Sequence, residues 1–375
     1  MILTNCAACA APLGLSLGKK CGRCSTRYCG PECQVQHWKE GGHDQLCKPI
    51  KKAGGAEQYN ANKKYTEAVA VAAEKCAEDV KGQTCYICTQ ALHWKTKEGL
   101  VRGCSCRGTA GFVHVSCLAE QAKILLAEGE ENNLGFKAMN ERWGRWEKCS
   151  LCEQLHHGVV RGALGWACWK TYLGRPERDP IRINAMTQLG NGLTALDHHD
   201  DALSVREVEL ATMRRLGTPE EVTIMTKANI AHSYECLGRY EETLALRREV
   251  YAQAVAFKHP TDQIIIYANN LAVSLKRAER YEEAKCFLRE RIAEGFDRTL
   301  GANHISVIKL RWNYAGAFCD DDKASRDDVV KAVATFEELF STTQRLLGKF
   351  HPTTKSAKAY LESGRSKLAR FDAQS

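Results

Sequence analysis

The sequence predicts a mainly α-helical chain in which two small metal-stabilised modules come first and an α-solenoid of paired helices follows. Three observations predict it. Fourteen of the nineteen cysteines fall in two clusters, 6–47 and 85–152, many of them as C-x2-C pairs with histidine nearby. From residue 186 onward, small and apolar residues recur with a period of about 41. The bulk composition, 44% hydrophobic and 26% charged, is that of an ordinary globular chain.

A length of 375 residues allows two or three domains. The five remaining cysteines (Cys76, Cys168, Cys236, Cys286, Cys319) are scattered singly, as buried free thiols are. Close cysteine pairs with histidines between them read as metal sites, not as a secreted disulfide framework. The opening Met1–Gly18 is mildly apolar but lacks a basic start, and it contains Cys6 and Cys9, so it is read as part of a metal module and not as a signal peptide. No uncharged run reaches the roughly 18 residues of a membrane span. A reducing compartment, cytoplasmic or nuclear, is the expectation.

The formal charge of +8 first suggests nucleic acid. Residues 1–84 carry 12 basic and 8 acidic side chains, residues 85–178 carry 13 and 9, and the rest carry 28 of each. The excess therefore lies wholly in the cysteine-rich part. Cysteine ligands bind divalent metal as thiolates, so fourteen thiolates and four ions would leave the chain near about +2. Net charge then gives no argument for nucleic acid.

The first cluster runs Cys6-x2-Cys9, Cys21-x2-Cys24, Cys29-x3-Cys33 and His43-x3-Cys47, eight donors in four pairs. Zinc takes four such donors in a tetrahedron, so two pairs make one site. About forty residues bury too little apolar surface to fold alone, and metal binding must supply the difference. Two full tetrahedra leave no open position for zinc chemistry on a substrate. Spacing alone allows sequential or interleaved pairing. With Tyr28 before Cys29, Gln34 after Cys33 and Trp38 five residues before His43, the segment resembles the MYND finger. That resemblance implies interleaving: Cys6, Cys9, Cys29 and Cys33 on one zinc, and Cys21, Cys24, His43 and Cys47 on the other. It also implies docking of short proline-containing peptides, with Gln34 and Trp38 at the groove. His37 is read as a packing or surface residue.

Lys48–Gly55 is basic and glycine-containing and reads as a short linker. Residues 57–80 place Tyr65, Val69, Ala72, Ala73 and Cys76 at helical spacing, which predicts an amphipathic helix packed on a neighbour. A second set of eight donors follows: Cys85, Cys88, Cys104, Cys106, His114, Cys117, Cys149 and Cys152. Their C4HC3 order occurs in RING-CH and PHD modules. The single residue between Cys104 and Cys106, the seven between Cys106 and His114, Ile87 and Leu118 resemble RING-CH. The resemblance implies a cross-brace, with Cys85, Cys88, His114 and Cys117 on one zinc and Cys104, Cys106, Cys149 and Cys152 on the other. Two features depart from it. Thirty-one residues separate Cys117 from Cys149, a stretch that starts with a helical run and ends in Trp143 and Trp146, and Gln121 stands where tryptophan is common. Beyond Cys152 the pattern is a short strand and then an apolar helix; His156 and His157 find all eight donor positions already filled.

In the repeats, Leu189-Gly190, Ile230-Ala231, Leu271-Ala272 and Tyr314-Ala315 align, as do the small residues Ala202, Thr243, Ala284 and Ala332. Each repeat reads as two helices whose small residues permit close approach. The pattern resembles tetratricopeptide (TPR) repeats over 186–355, and the Leu-Gly-x2-His endings resemble the kinesin-light-chain variety. A capping helix is expected at 356–371, and Asp320–Asp322 reads as a solvated loop. Gln188, Asn229, Asn270 and Asn313 share one repeat position on the first helices, which line the groove in TPR proteins, and their amides can serve a peptide backbone.

The expected order is therefore a MYND-type finger (1–50), a linker and amphipathic helix (51–84), a RING-CH-like zinc domain with a C-terminal helix (85–178), and TPR repeats with a cap (179–371). No catalytic constellation appears. The leading expectation is an adaptor with four structural zinc ions that binds proteins or short peptides through the finger and the groove. The alternative is a RING-CH-type ubiquitin ligase that contacts a conjugating enzyme through Ile87; a third reading is a PHD-like chromatin reader.

Overall fold

The computed structural model describes residues 5–13, 18–349 and 351–374. The rest of the apolar opening, 1–4 and 14–17, lies outside the described residues. The chain forms two compact units, Met1–Thr218 and Pro219–Ser375.

The N-terminal unit starts with the hairpin β1 (Lys19–Lys20) and β2 (Arg27–Tyr28), antiparallel with Lys19 opposite Tyr28. Next come α1 (Pro31–Lys39), α2 (His43–Ala53) and α3 (Ala56–Cys76). The basic stretch 48–55 is not a linker. Its first six residues continue α2, because His43 and Cys47 must share one helix face and Ile50, on the next turn, is buried. Only Gly54 and Gly55, both with positive φ, break the chain before α3.

The helix expected at 57–80 is α3. It buries Ala61, Tyr65, Val69, Ala72 and Cys76, one stripe at helical spacing. This stripe joins a core shared with α4 (Val115–Glu131), the 3-10 turn Gly144–Trp146 that follows α5 (Phe136–Trp143), and α6 (Gly158–Tyr172). Helix α6 is apolar nearly all round, with ten buried residues, because α3, α4 and α7 (Pro180–Thr194) enclose it. A Cβ on Gly165 of α6 would stand 2.9 Å from the Gln188 carbonyl and 3.2 Å from Gly192 of α7. The backbones therefore meet at glycine, and the first repeat pair, α7 and α8 (His199–Arg215), packs as part of this unit. The compact boundary accordingly falls one helix pair after the start of the repeats at 179.

The C-terminal unit holds the pairs α9 (Glu220–Cys236) with α10 (Tyr240–Ala256) and α11 (Thr261–Arg277) with α12 (Tyr281–Ala293). After the short α13 (Phe296–Leu300) come α14 (Ile305–Cys319), α15 (Arg326–Leu347) and α16 (Pro352–Gln374). Tyr240 and Tyr281 open the second helices, while Thr243, Ala284 and Ala332 are buried in the seams. Asp320–Asp322 is not simply a solvated loop. Asp321 is buried and accepts from Lys285 of α12 (2.6 Å) and from the Lys323 N–H, and Asp320 meets Lys276 of α11 at 2.9 Å. Two of the three acids are thus neutralised by lysines of the preceding pair.

A buried ion pair also ties α9 to its neighbours. Arg247 of α10 binds Glu235, the Ser274 hydroxyl (2.6 Å) and the Asn270 carbonyl (2.7 Å), and Arg277 adds a second contact to Glu235 at 2.8 Å. Burial pushes the Glu235 carboxyl up, but His232, Arg247 and Arg277 outweigh it and hold it at about 2, below its ordinary 4.5. Such a depressed acid contributes stability that is complete above pH 4.5 and is lost as the pH falls from there to about 2. Discounted for the partly solvated carboxyl, the shift corresponds to about 2–3 kcal/mol. Acid titration followed by circular dichroism should therefore show a steeper loss of helix in the wild type than in Glu235→Gln over that interval. Parallel curves would refute the pairing.

Candidate metal centres

Four short turns present the cysteine pairs, and all four have the same backbone. The N–H groups of Cys6, Cys21, Cys85 and Cys149 donate to the carbonyl five residues on, at 2.8–3.0 Å. The carbonyls of the same cysteines accept from the N–H four residues on, at 2.8–3.0 Å. The residue after each second cysteine (Ala10, Ser25, Thr89, Glu153) has φ between 55° and 61°. A left-handed conformation at a non-glycine residue costs about 1 kcal/mol or more, and the surrounding bonds must hold it. Strand pairs flank three of these turns: Asn5 with Pro12, β1 with β2, and Lys148 with Leu155.

These turns supply eight donors, and the fold brings eight more to them in four sets: Cys6, Cys9, Cys29, Cys33; Cys21, Cys24, His43, Cys47; Cys85, Cys88, His114, Cys117; and Cys104, Cys106, Cys149, Cys152. The grouping is interleaved in both modules, and the sequential arrangement that spacing left open for the first is not the one found. Within each set the donor atoms all lie within 4.8 Å of one another. A tetrahedron with metal–sulfur bonds of about 2.3 Å has edges of about 3.8 Å. Cys21 to Cys47 spans 3.9 Å, Cys106 to Cys149 3.8 Å, Cys9 to Cys29 3.6 Å and Cys88 Sγ to His114 Nδ1 3.3 Å. The donors and their spacing fit a tetrahedral metal such as zinc.

One cysteine of each set is in surroundings that favour thiolate, while burial or neighbouring sulfurs push Cys33, Cys47, Cys106 and Cys117 up. At Cys85, N–H groups of Ile87 and Cys88 lie 3.4 and 3.5 Å from the sulfur. Burial pushes Cys6 up, but the backbone N–H groups of Cys9, Cys29 and Ala8 outweigh it and bring the thiol to about 6. Cys21 likewise comes to about 6, burial being outweighed by His43 and the N–H groups of Arg23 and Cys24. His114 offers Nδ1 to its set, and its Nε2 lies 3.3 Å from the Ala91 carbonyl, which orients the ring as a ligand's second nitrogen requires. Against the fourth set, Gly111 (φ 86°) leaves no room for a side chain: a Cβ would stand 2.6 Å from that of Cys106.

None of the spare histidines His37, His156 and His157 joins a set. The His37 ring lies between Tyr28, whose hydroxyl is 3.1 Å from His37 Nδ1, and His43. His156 is buried beside the fourth set, and burial lowers its pKa to about 4. Gln34 and Trp38 stand one turn apart on α1. Trp38 remains 42% exposed while its ring meets His43 edge-on, so it packs and is presented at once.

The amide positions divide. Gln188 is not at a groove: it is buried and donates to Glu147, because α7 packs on the second metal module. Asn313 donates to the buried Asn269 of α11 at 2.9 Å and so bonds to the neighbouring repeat. Asn229 and Asn270 are half-buried on α9 and α11, and Met225 and Ile266, each four residues earlier, are exposed. Ile87 is exposed and Gln121 half-buried. Trp143 and Trp146 turn onto Tyr172 of α6. Sequence spacing carried no signal for the repeated left-handed residue or for Gly111.

Residues 6–47 match the family model of the MYND finger, and residues 85–134 match that of the RING-variant domain. The second match ends before Cys149 and Cys152, which the fold nevertheless returns to Cys104 and Cys106. No curated protein matches the chain. Among solved structures, the chain is similar to a Podosopora anserina putative kinesin light chain with nearly identical TPR-like repeats (16% identity, 62% of this chain, 98% of that one, TM-score 0.41) and to a point variant of that protein (16%, 62%, 97%, 0.42). It is also similar to BtubC (BKLC) from P. vanneervenii (18% identity, 56% of this chain, 87% of that one, TM-score 0.43).

Proposed function

We propose that this chain is an adaptor that holds four structural zinc ions and docks partner proteins through its first finger and its helical repeats. The observation that carries the reading is the closure of all four sets. Each offers four cysteine or histidine donors and no vacant position, which suits folding and not Lewis-acid chemistry on a substrate. Trp38 and Gln34 on α1 form the peptide-docking face, and Asn229 and Asn270 serve a peptide backbone on the repeats. The compartment that fits thiolate ligands is a reducing one, cytoplasmic or nuclear.

A second reading, a RING-CH-type ubiquitin ligase, has one observation in its favour. The hydroxyls of Tyr86 and Ser150 lie 3.1 Å apart and tie the Cys85–Cys88 turn to the Cys149–Cys152 turn. The next residues, Ile87 and Leu151, are exposed. Such a pair of loops can grip a conjugating enzyme, but Gln121 occupies the place of the third, bulky anchor.

One set of full-length variants tests both readings. On an array of proline-containing peptides, Trp38→Ala should weaken capture about tenfold or more with zinc content unchanged, as loss of an aromatic anchor does. Asn229→Ala with Asn270→Ala should remove capture of a separate set of peptides while helicity persists. With a panel of conjugating enzymes, autoubiquitination should be weak or absent. Robust chains that vanish in Ile87→Ala would replace the adaptor by the ligase.

A further inference from the structure

A cavity of about 790 Å³ opens between α3, the turn at His93–Thr96, α4 and α6, and none of the sixteen candidate ligands lines it. Its charge is unbalanced. Lys95, Lys123 and Lys170 face one carboxylate, Glu120, which already lies 3.3 Å from Lys123. Glu98 stands behind the wall, its carboxylate held by the N–H (2.7 Å) and hydroxyl (2.8 Å) of the lining residue Ser116. Among the described residues, Lys95 and Lys170 have no carboxylate at ion-pair distance. The Lys170 ammonium sits half-buried, 3.7 Å from the centre of the Tyr65 ring, and burial lowers its pKa although Glu98 opposes this. A half-buried cation that meets a ring face and has no carboxylate at ion-pair distance gains from a bound anion.

Beside these lysines stands Trp94, 68% exposed. Its turn is held firmly: the Thr96 N–H donates to Nδ1 of the buried His93 at 3.1 Å, and the Thr96 hydroxyl lies 2.8 Å from the same atom. An aromatic ring displayed on a fixed turn, next to two ammonium groups without an ion-pair partner, is complementary to carboxylates flanking an apolar side chain. We propose that this cavity docks an acidic peptide segment of a partner protein, with Lys170 and Lys95 meeting its carboxylates and Trp94 covering a neighbouring apolar side chain. The site is separate from both docking elements proposed above.

The test is fluorescence anisotropy of the zinc-loaded full chain with three labelled probes. One is a short peptide of glutamates and aspartates around a single leucine, the second its glutamine and asparagine counterpart, and the third a neutral peptide carrying phosphoserines. The acidic probe should bind at least about tenfold more tightly than the neutral one, and added salt should weaken it. Lys170→Gln should reduce affinity about tenfold, the usual scale for a charged hydrogen bond, and Trp94→Ala by several-fold. Lys95→Gln, on the exposed rim, should also reduce it and cannot disturb the core. Trp38→Ala and the double asparagine variant should bind the acidic probe as the wild type does. Equal binding of acidic and neutral probes, a preference for the phosphorylated one, or full affinity in Lys95→Gln with Trp94→Ala would overturn the proposal.

Discussion

Serine in place of Cys24 should empty the Cys21–Cys24–His43–Cys47 set and unfold residues 19–53, while the second module keeps its fold. Cys24 is 2% exposed, 3.4 Å from His43 Nε2 and 3.1 Å from the Thr26 hydroxyl. Seven buried residues make up this module's core, and four of them are cysteines; Leu13, Tyr28 and Ile50 are the others. Three apolar side chains cannot offset the ordering of some forty residues, each of which loses about 1–2 kcal/mol of backbone entropy. A structural zinc contributes about 10–16 kcal/mol, so the loss of one strong ligand removes most of what holds the module. Atomic emission should find at most three zinc ions per chain instead of four. Hydrogen exchange should show lost protection in α2, with 85–172 unchanged because α4 and α6 of that segment share a large core with α3 and α7. Unchanged zinc, or unfolding of the whole N-terminal unit, would contradict this account.

Gly111→Ala should produce the complementary lesion. The new methyl group would stand 2.6 Å from Cys106 Cβ and 3.1 Å from the sulfurs of Cys104 and Cys106, at a residue whose φ of 86° already disfavours a side chain. Either the cage opens or the loop moves, and metal affinity at the fourth set should fall on the order of 10–100-fold. Gly108→Ala is the control. Its φ is 60°, but nothing lies within 4 Å of the added carbon. It should lose about 1 kcal/mol and retain all its metal. Zinc counts under a mild chelator separate the two, and equal retention in both variants would refute the steric argument.

The sixteen donors were legible because few residue types bind zinc and their spacing is dictated by the turns that carry them. The repeat seams were legible for a similar reason: Ala202, Thr243 and Ala284 are small where helices must touch. What stayed hidden depends on partners far away in sequence. Asp321 reads as a loop residue until Lys285 is placed beside it. Gln188 reads as a groove residue until α7 is known to pack on α6, which brings Glu147 to its amide. Trp143 and Trp146 read only as the end of a long insert until Tyr172 proved to be their neighbour. Local propensity does not encode such pairings.

The turn at His93 repeats the backbone of the four cysteine turns without a cysteine. Its N–H donates to the carbonyl of Glu98 at 3.0 Å, its carbonyl accepts from the Lys97 N–H at 2.9 Å, and Lys97 has φ 59°. The bond from Thr96 to the His93 ring takes the place of an ion. In polymer terms, the segment from Cys88 to His114 is shortened by contacts that use no metal ligand's side chain, since this turn and the Val101–Val113 bridge fold it back on itself. The cost of closing a chain loop grows with the logarithm of its free length. An ion that gathers Cys85 and Cys88 with His114 and Cys117 therefore closes a much shorter effective loop than the sequence separation of 26 from Cys88 to His114 suggests.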